Sequence, residues 1–490
     1  MNPSPEHPNQ DRTRRRLGRG FVVVVYALLA PLLMGMFVMP GCDWAAGELD
    51  GLTAEPDEQF SGGLGTVFET GKNAFGLPAP GLTRSQERFF GVGNSFFNQN
   101  WVSAPASTTA RDGLGPFFNA RSCASCHFRD GRGRSPAFDG ERPTGYLVRV
   151  ALPETRDEYG RPVGDERYGT QIQDGANLDF APEASIRIRY ETITGTYDDG
   201  TTYTLRKPSI SFADEAYGPI TSRALSGRVA NHISGMGLLE SIPDETLLAL
   251  ADPDDADGDG VSGRVNMVWD VRKQGYSIGR FGWKAEQPTV EQQVASAFHG
   301  DMGLTSSLFS DENCSEAAIG CTEAPNGGTP EIEDDMLEHT TLYSASLAVP
   351  ARRDWDEPEV LRGKQLFREV GCVNCHVPQI TTGINEITDA FSNQVIRPYT
   401  DLLLHDMGPE LADDFAVFDA NGREWRTPPL WGIGLIETVN GHTEFLHDGR
   451  ARNLEEAILW HGGEADASRQ RFKALSKDER DALIRFLRSL

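Results

Sequence analysis

The chain is short of cysteine, with seven in 490 residues, and short of positive charge, with 46 Lys and Arg against 72 Asp and Glu. A formal charge of −26 and no basic stripe beyond the N-terminus exclude nucleic acid as an expected partner. Only one long apolar run is present, and nothing after it predicts a membrane crossing. The charged residues are interspersed with aromatics and glycine, which argues for a folded chain rather than a disordered one. The length allows two or three domains and a substantial core.

The apolar run lies at the N-terminus, where "DRTRRRLGRG" is followed by "FVVVVYALLAPLLMGMFVM" and then "PGCDW". A basic segment, an apolar segment and a small residue make residues 1–42 an export leader. Gly41 before Cys42 is similar to a lipoprotein processing site, although Met39-Pro40 departs from the usual residues there. The expected location is periplasmic or cell-surface, with a lipid anchor at Cys42 as the only membrane attachment. A retained transmembrane anchor or twin-arginine export would place the protein body in the same compartment. Residues 43–80 are rich in Gly, Pro and acid, and read as a tether.

The remaining six cysteines form three close pairs. Cys314 and Cys321 lie in a polar loop without histidine and predict a local disulfide. The other two pairs stand in "SCASCH" (Cys123, Cys126, His127) and "GCVNCH" (Cys372, Cys375, His376). A redox dithiol needs a β-α-β context and gives the following histidine no role. Zinc would need both copies to converge on one ion. Histidine directly after the second cysteine is the arrangement for covalent haem c, with two thiols on the porphyrin and one imidazole on the iron. Two copies in an exported chain predict two covalently bound haem c groups.

Function then depends on the sixth position of each iron. The histidines left are His232, His299, His339, His405, His442, His447 and His461, and the methionines are Met236, Met267, Met302, Met336 and Met407. Periodicity does not choose among them. Residues 141–212 alternate β-branched or aromatic residues with polar ones around a "DDGT" turn, and predict hairpins. A helix enters the second motif, and "LSKDERDALIRFLRSL" closes the chain as an amphipathic helix with a Ser476–Glu479 capping box. The expected fold is mainly α: two cytochrome c-like haem domains, residues 81–350 and 351–490, the first with a β-rich insertion at about 141–212.

"EFLHDGRARNLEEAILWHGGEA" resembles a segment of the bacterial di-haem cytochrome c peroxidase superfamily. "DGLGPFFNARSCASCH", "GRFGWKAEQPTVEQQVASAFHGDMG", "DLLLHDMG" and "WRTPPLWGIGL" are similar to its di-haem oxidoreductase branch, once described as thiol-oxidoreductase-like. The resemblance spans roughly residues 85–490 and is loosest in the β-rich region. It implies that His461 takes the place of the distal ligand of the C-terminal haem, so that His376 and His461 bracket that iron. It implies that Trp283 lies between the haems and that Gln293 and Asp301 face an open pocket at the N-terminal haem. Asp301 stands there in place of the superfamily's Glu, and His299 or Met236 are alternative ligands that would close that iron. The superfamily commonly holds Ca²⁺ between its haem domains, and "DPDDADGDGVSGRVN" offers Asp255, Asp257 and Asp259 in the alternation of a calcium loop. Asn266 stands where an EF-hand has its bidentate Glu.

The expected activity is that of a peroxidase-like di-haem oxidoreductase, in which the C-terminal haem passes electrons to a peroxide-reactive N-terminal haem. The expected partners are peroxide and a small electron-donor protein or quinol-linked cytochrome. The alternative is an electron-transfer cytochrome with both irons six-coordinate. Nothing in the chain supports a thiol substrate.

Overall fold

The computed structural model describes residues 53–141 and 145–490. The leader and Cys42 lie outside the described residues. Among the described residues no helix is long and apolar enough to cross a membrane.

Two helix crossings of similar build anchor the structure. Helix α1 (Arg84–Asn98) starts at a reciprocal capping box between Thr83 and Gln86. It packs on α3 (Asp334–Ala345), and a Cβ at Gly93 would stand 2.0 Å from the His339 carbonyl oxygen. Helix α4 (Pro358–Glu369) packs in the same way on the C-terminal helix α6 (Lys477–Ser489). There Gly363 allows the approach, its Cβ position lying 2.0 Å from the Ala482 carbonyl oxygen. Each crossing needs a residue with no side chain at the contact. Helix α4 ends just before the second Cys-x-x-Cys-His motif, so the α4–α6 core positions that motif.

Between the two crossings the chain forms small antiparallel sheets. Strand β1 (Tyr146–Ala151) pairs with β4 (Ala224–Val229). Strands β2 (Ser185–Thr196) and β3 (Thr202–Ala213) form a long hairpin closed through the "DDGT" turn. The hairpin tip reaches the C-terminal helices. Tyr197 donates to Glu455 at 2.7 Å, and the Arg480 guanidinium lies 3.9 Å over the Tyr197 ring. Strands β5 (Leu404–Asp406) and β6 (Glu424–Arg426) form a third pair that sets His405 opposite Trp425. Helix α2 (Val290–Met302) and helix α5 (Leu454–Trp460) complete the elements that carry the site.

Residues 53–80 differ from the expected tether. Phe75 and Ala74 are fully buried, Thr66 and Val67 pair with Val349 and Pro350, and buried Glu58 forms ion pairs with Arg352 and Lys364. Scattered apolar residues in a Gly-rich stretch carry no period, so their burial is set by long-range packing. Cys314 and Cys321 form a disulfide.

Candidate haem-binding site

Both Cys-x-x-Cys-His motifs open onto one cavity of about 630 Å³. Ser122 caps the short turn that carries Cys123 and Cys126, while Gly371 in the left-handed region turns the chain out of α4 into Cys372. Burial raises the thiols of Cys123 and Cys372 to about 12. Such thiols hold almost no thiolate at neutral pH, which disfavours a redox dithiol. A shared zinc site fails on geometry. Among the described residues the only group of three or more acidic, His or Cys side chains with converging donor atoms is Asp255, Asp257 and Asp259.

Hydrogen bonding sorts the histidines. His127 Nδ1 donates to the Asn231 carbonyl at 2.5 Å, His376 Nδ1 to that of Tyr399 at 2.9 Å, and His461 Nδ1 to that of Ala457 at 2.7 Å. All three rings line the cavity. Anchoring Nδ1 on a carbonyl fixes the tautomer and leaves Nε2 unprotonated, as an iron ligand requires. Burial lowers the pKa of each, His376 to about 4, and His461 also acts electrostatically on His376. The two imidazoles line the same cavity and sense each other's charge across it.

The other rings are engaged differently. His299 Nε2 bonds the Asp311 carbonyl, and its ring stacks on Phe309. His442 uses both nitrogens, on the Arg132 carbonyl and the Glu444 amide. His405 donates from Nε2 to Asp401 and from Nδ1 to Glu464, each at 2.8 Å. Burial disfavours a charged ring, yet the Asp401 carboxylate outweighs it and raises the His405 pKa well above the usual range. His339 stacks on Phe89, and His232 stacks on Phe75 with Nδ1 on Ser234 Oγ. Met236 lines the cavity and packs against the cluster of Phe97 and Ile233, as Cys123 also does, and Phe97 itself lies against the His127 ring.

Helix α2 lines the cavity with Gln293, Val294, Ser296, Ala297, His299, Gly300, Asp301 and Met302, and five of these, Gln293, Ser296, Ala297, Gly300 and Asp301, follow i, i+3, i+4, i+7 and i+8. A Cβ at Gly300 would meet nothing within 4 Å, so the small residues leave a cradle. Asp301 Oδ1 accepts from Gln171 Nε2 at 2.8 Å. Burial raises its pKa, while the Gln171 bond and Arg149 oppose the rise. Gln292 is structural by contrast, binding Val271 N and the Trp269 carbonyl. Trp283 is buried at the cavity wall with Nε1 on the Val229 carbonyl.

Two guanidinium groups at the cavity stand out. Arg132 and Arg426 are buried and bond mainly carbonyl oxygens, with no ion pair among the described residues. Burial pulls both down to about 10. Glu444 and Asp448 act on Arg132, and Glu286 and Asp401 on Arg426, without pairing directly; such cations have room for an anion from the cavity, and the carboxylates of a porphyrin would supply it. With the thiols, the anchored imidazoles and the Gly300 cradle, the residues present fit haem.

The acidic loop lies at the edge of the second motif. Asp259 Oδ2 accepts from Asn374 Nδ2 at 2.7 Å, between Cys372 and Cys375. Asn266 points elsewhere, its side-chain amide held in the core by the Lys284 carbonyl and the Asp419 amide.

A cavity with two motifs of this kind and anion-seeking arginines defines a two-haem redox protein. The chain belongs to the di-haem oxidoreductase family, described as "Di-haem oxidoreductase, putative peroxidase", whose model matches residues 56–151 and 166–490. No curated protein matches the chain.

Proposed function

We propose that the protein is an exported di-haem c oxidoreductase of peroxidase type, with one closed and one open iron. The observation that carries this reading is an asymmetry of two imidazoles to one. Three histidines at the cavity are anchored through Nδ1 on a carbonyl, two of them in the motifs, and the third, His461, acts electrostatically on His376. His376 and His461 would both serve the C-terminal haem, and His127 would serve the N-terminal one.

Cys123, Cys126, Cys372 and Cys375 would carry the porphyrins as thioethers, and Arg132 and Arg426 would take their carboxylates. Bound haem supplies the one-electron chemistry and the Lewis acidity that peroxide reduction needs. Asp301 supplies the proton transfers. Gln171 occupies Oδ1, so Oδ2 accepts a proton from one peroxide oxygen and returns it to the other. Gln293 is on the same helical stripe and orients the peroxide. Trp283 couples the two sites. His299 lines the cavity too, but its Nε2 is held on the Asp311 carbonyl rather than free for a metal.

Electrons enter at the C-terminal site from a small donor protein or a quinol-linked cytochrome. Ca²⁺ bound by Asp255, Asp257 and Asp259 ties the acidic loop to the second motif, supported by carboxylate oxygens within 4.8 Å of one another. The leader places the body in the periplasm or at the cell surface, with lipid at Cys42.

Low-temperature EPR of the oxidised holoprotein, together with turnover of peroxide by an artificial donor, tests the reading. One high-spin and one low-spin haem with turnover are expected. Two low-spin haems in both oxidation states and no turnover would replace it with the electron-transfer alternative.

A further inference from the structure

Charge is out of place on one face of the β1–β4 pair. Strand β1 buries Tyr146, Val148 and Val150 on one side and turns Leu147 and Arg149 to the other, where they line the haem cavity. In the register Leu147 stands opposite Arg228 and Arg149 opposite Ser226, so both arginines share the cavity face. In strands otherwise made of apolar and small residues, two arginines at a cavity break the pattern. Such breaks mark sites.

The two cations are not equally engaged. Arg228 is buried, and it donates to Glu286 Oε1 and, through Nε, to Ser226 Oγ at 3.0 Å. Arg149 reaches the same Oε1 only at 3.6 Å, longer than a hydrogen bond, and 24% of its side-chain surface stays open. Both guanidinium carbons lie 5.2 Å from the Phe415 ring centroid, which holds them without neutralising them. Glu286 thus answers two guanidinium groups with one oxygen, while its other oxygen accepts from the Lys284 amide at 3.1 Å. Asp413 also acts on Arg149, but it is paired with Lys284 Nζ at 3.1 Å. The remaining carboxylate in reach of Arg149 is Asp301.

The strand register ties this cation to the open site. Arg149 faces Gln171 across an isolated bridge, and Gln171 Nε2 holds Asp301 Oδ1 at 2.8 Å. Gln173, two residues on, bonds the Gly300 carbonyl. An anion on Arg149 would therefore stand beside the proton carrier and the Gly300 cradle. Neutral hydrogen peroxide offers a guanidinium no charge to bind, whereas a hydroperoxide that carries a carboxylate does.

We propose that Arg149, backed by Arg228, binds the carboxylate of an acidic organic hydroperoxide and so sets substrate choice at the open site. The proposal rests on the peroxidase reading above and names its substrate class. On reduction the O–O bond breaks, two electrons from the donor protein and two protons are taken up, and the alcohol and water leave. The carboxylate stays intact and only holds the molecule. A porphyrin carboxylate offers the same chemistry to Arg149, and the two sources are separated by experiment.

Benzoate binding to the holoprotein, followed by calorimetry, tests the site without turnover. The parent should bind benzoate, Arg149→Gln should bind it about tenfold more weakly, and Glu286→Gln, which removes the competing carboxylate, more tightly. A parent that binds no benzoate overturns the proposal and gives Arg149 to a porphyrin carboxylate. Parental affinity in Arg149→Gln overturns it as well. Turnover then compares cumene hydroperoxide bearing a para-carboxylate with its methyl ester, as a ratio of kcat/KM that cancels any general loss in a variant. The ratio should favour the acid about tenfold in the parent and fall to about one in Arg149→Gln. A ratio of about one in the parent overturns the substrate class. If benzoate binds through Arg149 but no peroxide of any kind is reduced, the peroxidase reading fails and takes the substrate class with it, while the anion site stands.

Discussion

The two Cys-x-x-Cys-His motifs share five residue positions and face the same cavity, yet their surroundings differ. Around the second, two carbonyl-anchored imidazoles sense each other's charge and a charged His405, clamped by two carboxylates, stands beside Cys375. Around the first, His127 is the imidazole anchored through Nδ1 on a carbonyl, His232 lies within its electrostatic reach with Nδ1 on Ser234, and a helix stripe of small residues ends in Asp301. The attachment motif therefore says where a haem is held and leaves open what it does. In the proposed function the distinction is made by residues far along the chain, His461 for one site and Asp301 for the other.

The largest break in this comparison is removal of either anchor. Cys372→Ser/Cys375→Ser and Cys123→Ser/Cys126→Ser should each lose one of the two haems, halving the haem content measured by the pyridine haemochrome assay. The first should abolish the six-coordinate low-spin signal and the second the high-spin one. If both doubles lose the same signal, the assignment of roles is wrong.

Asp301→Asn keeps the shape of the open site and removes its proton carrier. Peroxide turnover should fall about 10²-fold or more, with the spectrum of the C-terminal haem unchanged. Asp301→Glu should recover part of the rate. Full activity in Asp301→Asn would remove this residue from the mechanism.

A smaller effect separates the sites by pH. Burial raises buried Glu183 from its ordinary 4.5 to about 8. It accepts from the Gln173 backbone amide, and Gln173 Nε2 bonds the Gly300 carbonyl near the end of the cavity-lining stripe of α2. Between these pH values the folded chain keeps a proton that the unfolded chain has lost. This contribution to stability is full below about pH 4.5 and falls away as pH rises through about 8. Glu183→Gln should flatten the decline in Tm between pH 5 and 8 seen by calorimetry, and an equal decline would contradict the assignment.

The smallest effect belongs to the acidic loop beside the second motif. Chelation of Ca²⁺ should lower Tm by a few degrees, and Asp257→Asn/Asp259→Asn should make Tm insensitive to the chelator. Equal sensitivity in the variant would place the cation elsewhere.

What was legible in the sequence is what has a local pattern. Cys-x-x-Cys-His, the Cys314/Cys321 pair, the "DDGT" hairpin turn and the Ser476–Glu479 capping box all have partners within about a dozen residues. The His405 clamp reaches from Asp401 to Glu464, and the Trp425–His447 stack joins two separate loops. Neither leaves a period or spacing, because tertiary packing creates them. The same holds for Arg132 and Arg426, whose lack of ion pairs becomes visible only when every neighbour is in place. His232, His299, His405, His442 and His461 look alike as letters. The bonds at their ring nitrogens distinguish them, and only the fold determines those bonds.

Cyanide titration of the oxidised holoprotein, followed in the visible spectrum for the parent and for His461→Ala, tests the central claim most directly. The account predicts one cyanide per chain in the parent, bound at the His127 site, and two in His461→Ala once the second iron is opened. No cyanide binding in the parent, or a His461→Ala variant that still binds only one, would contradict it.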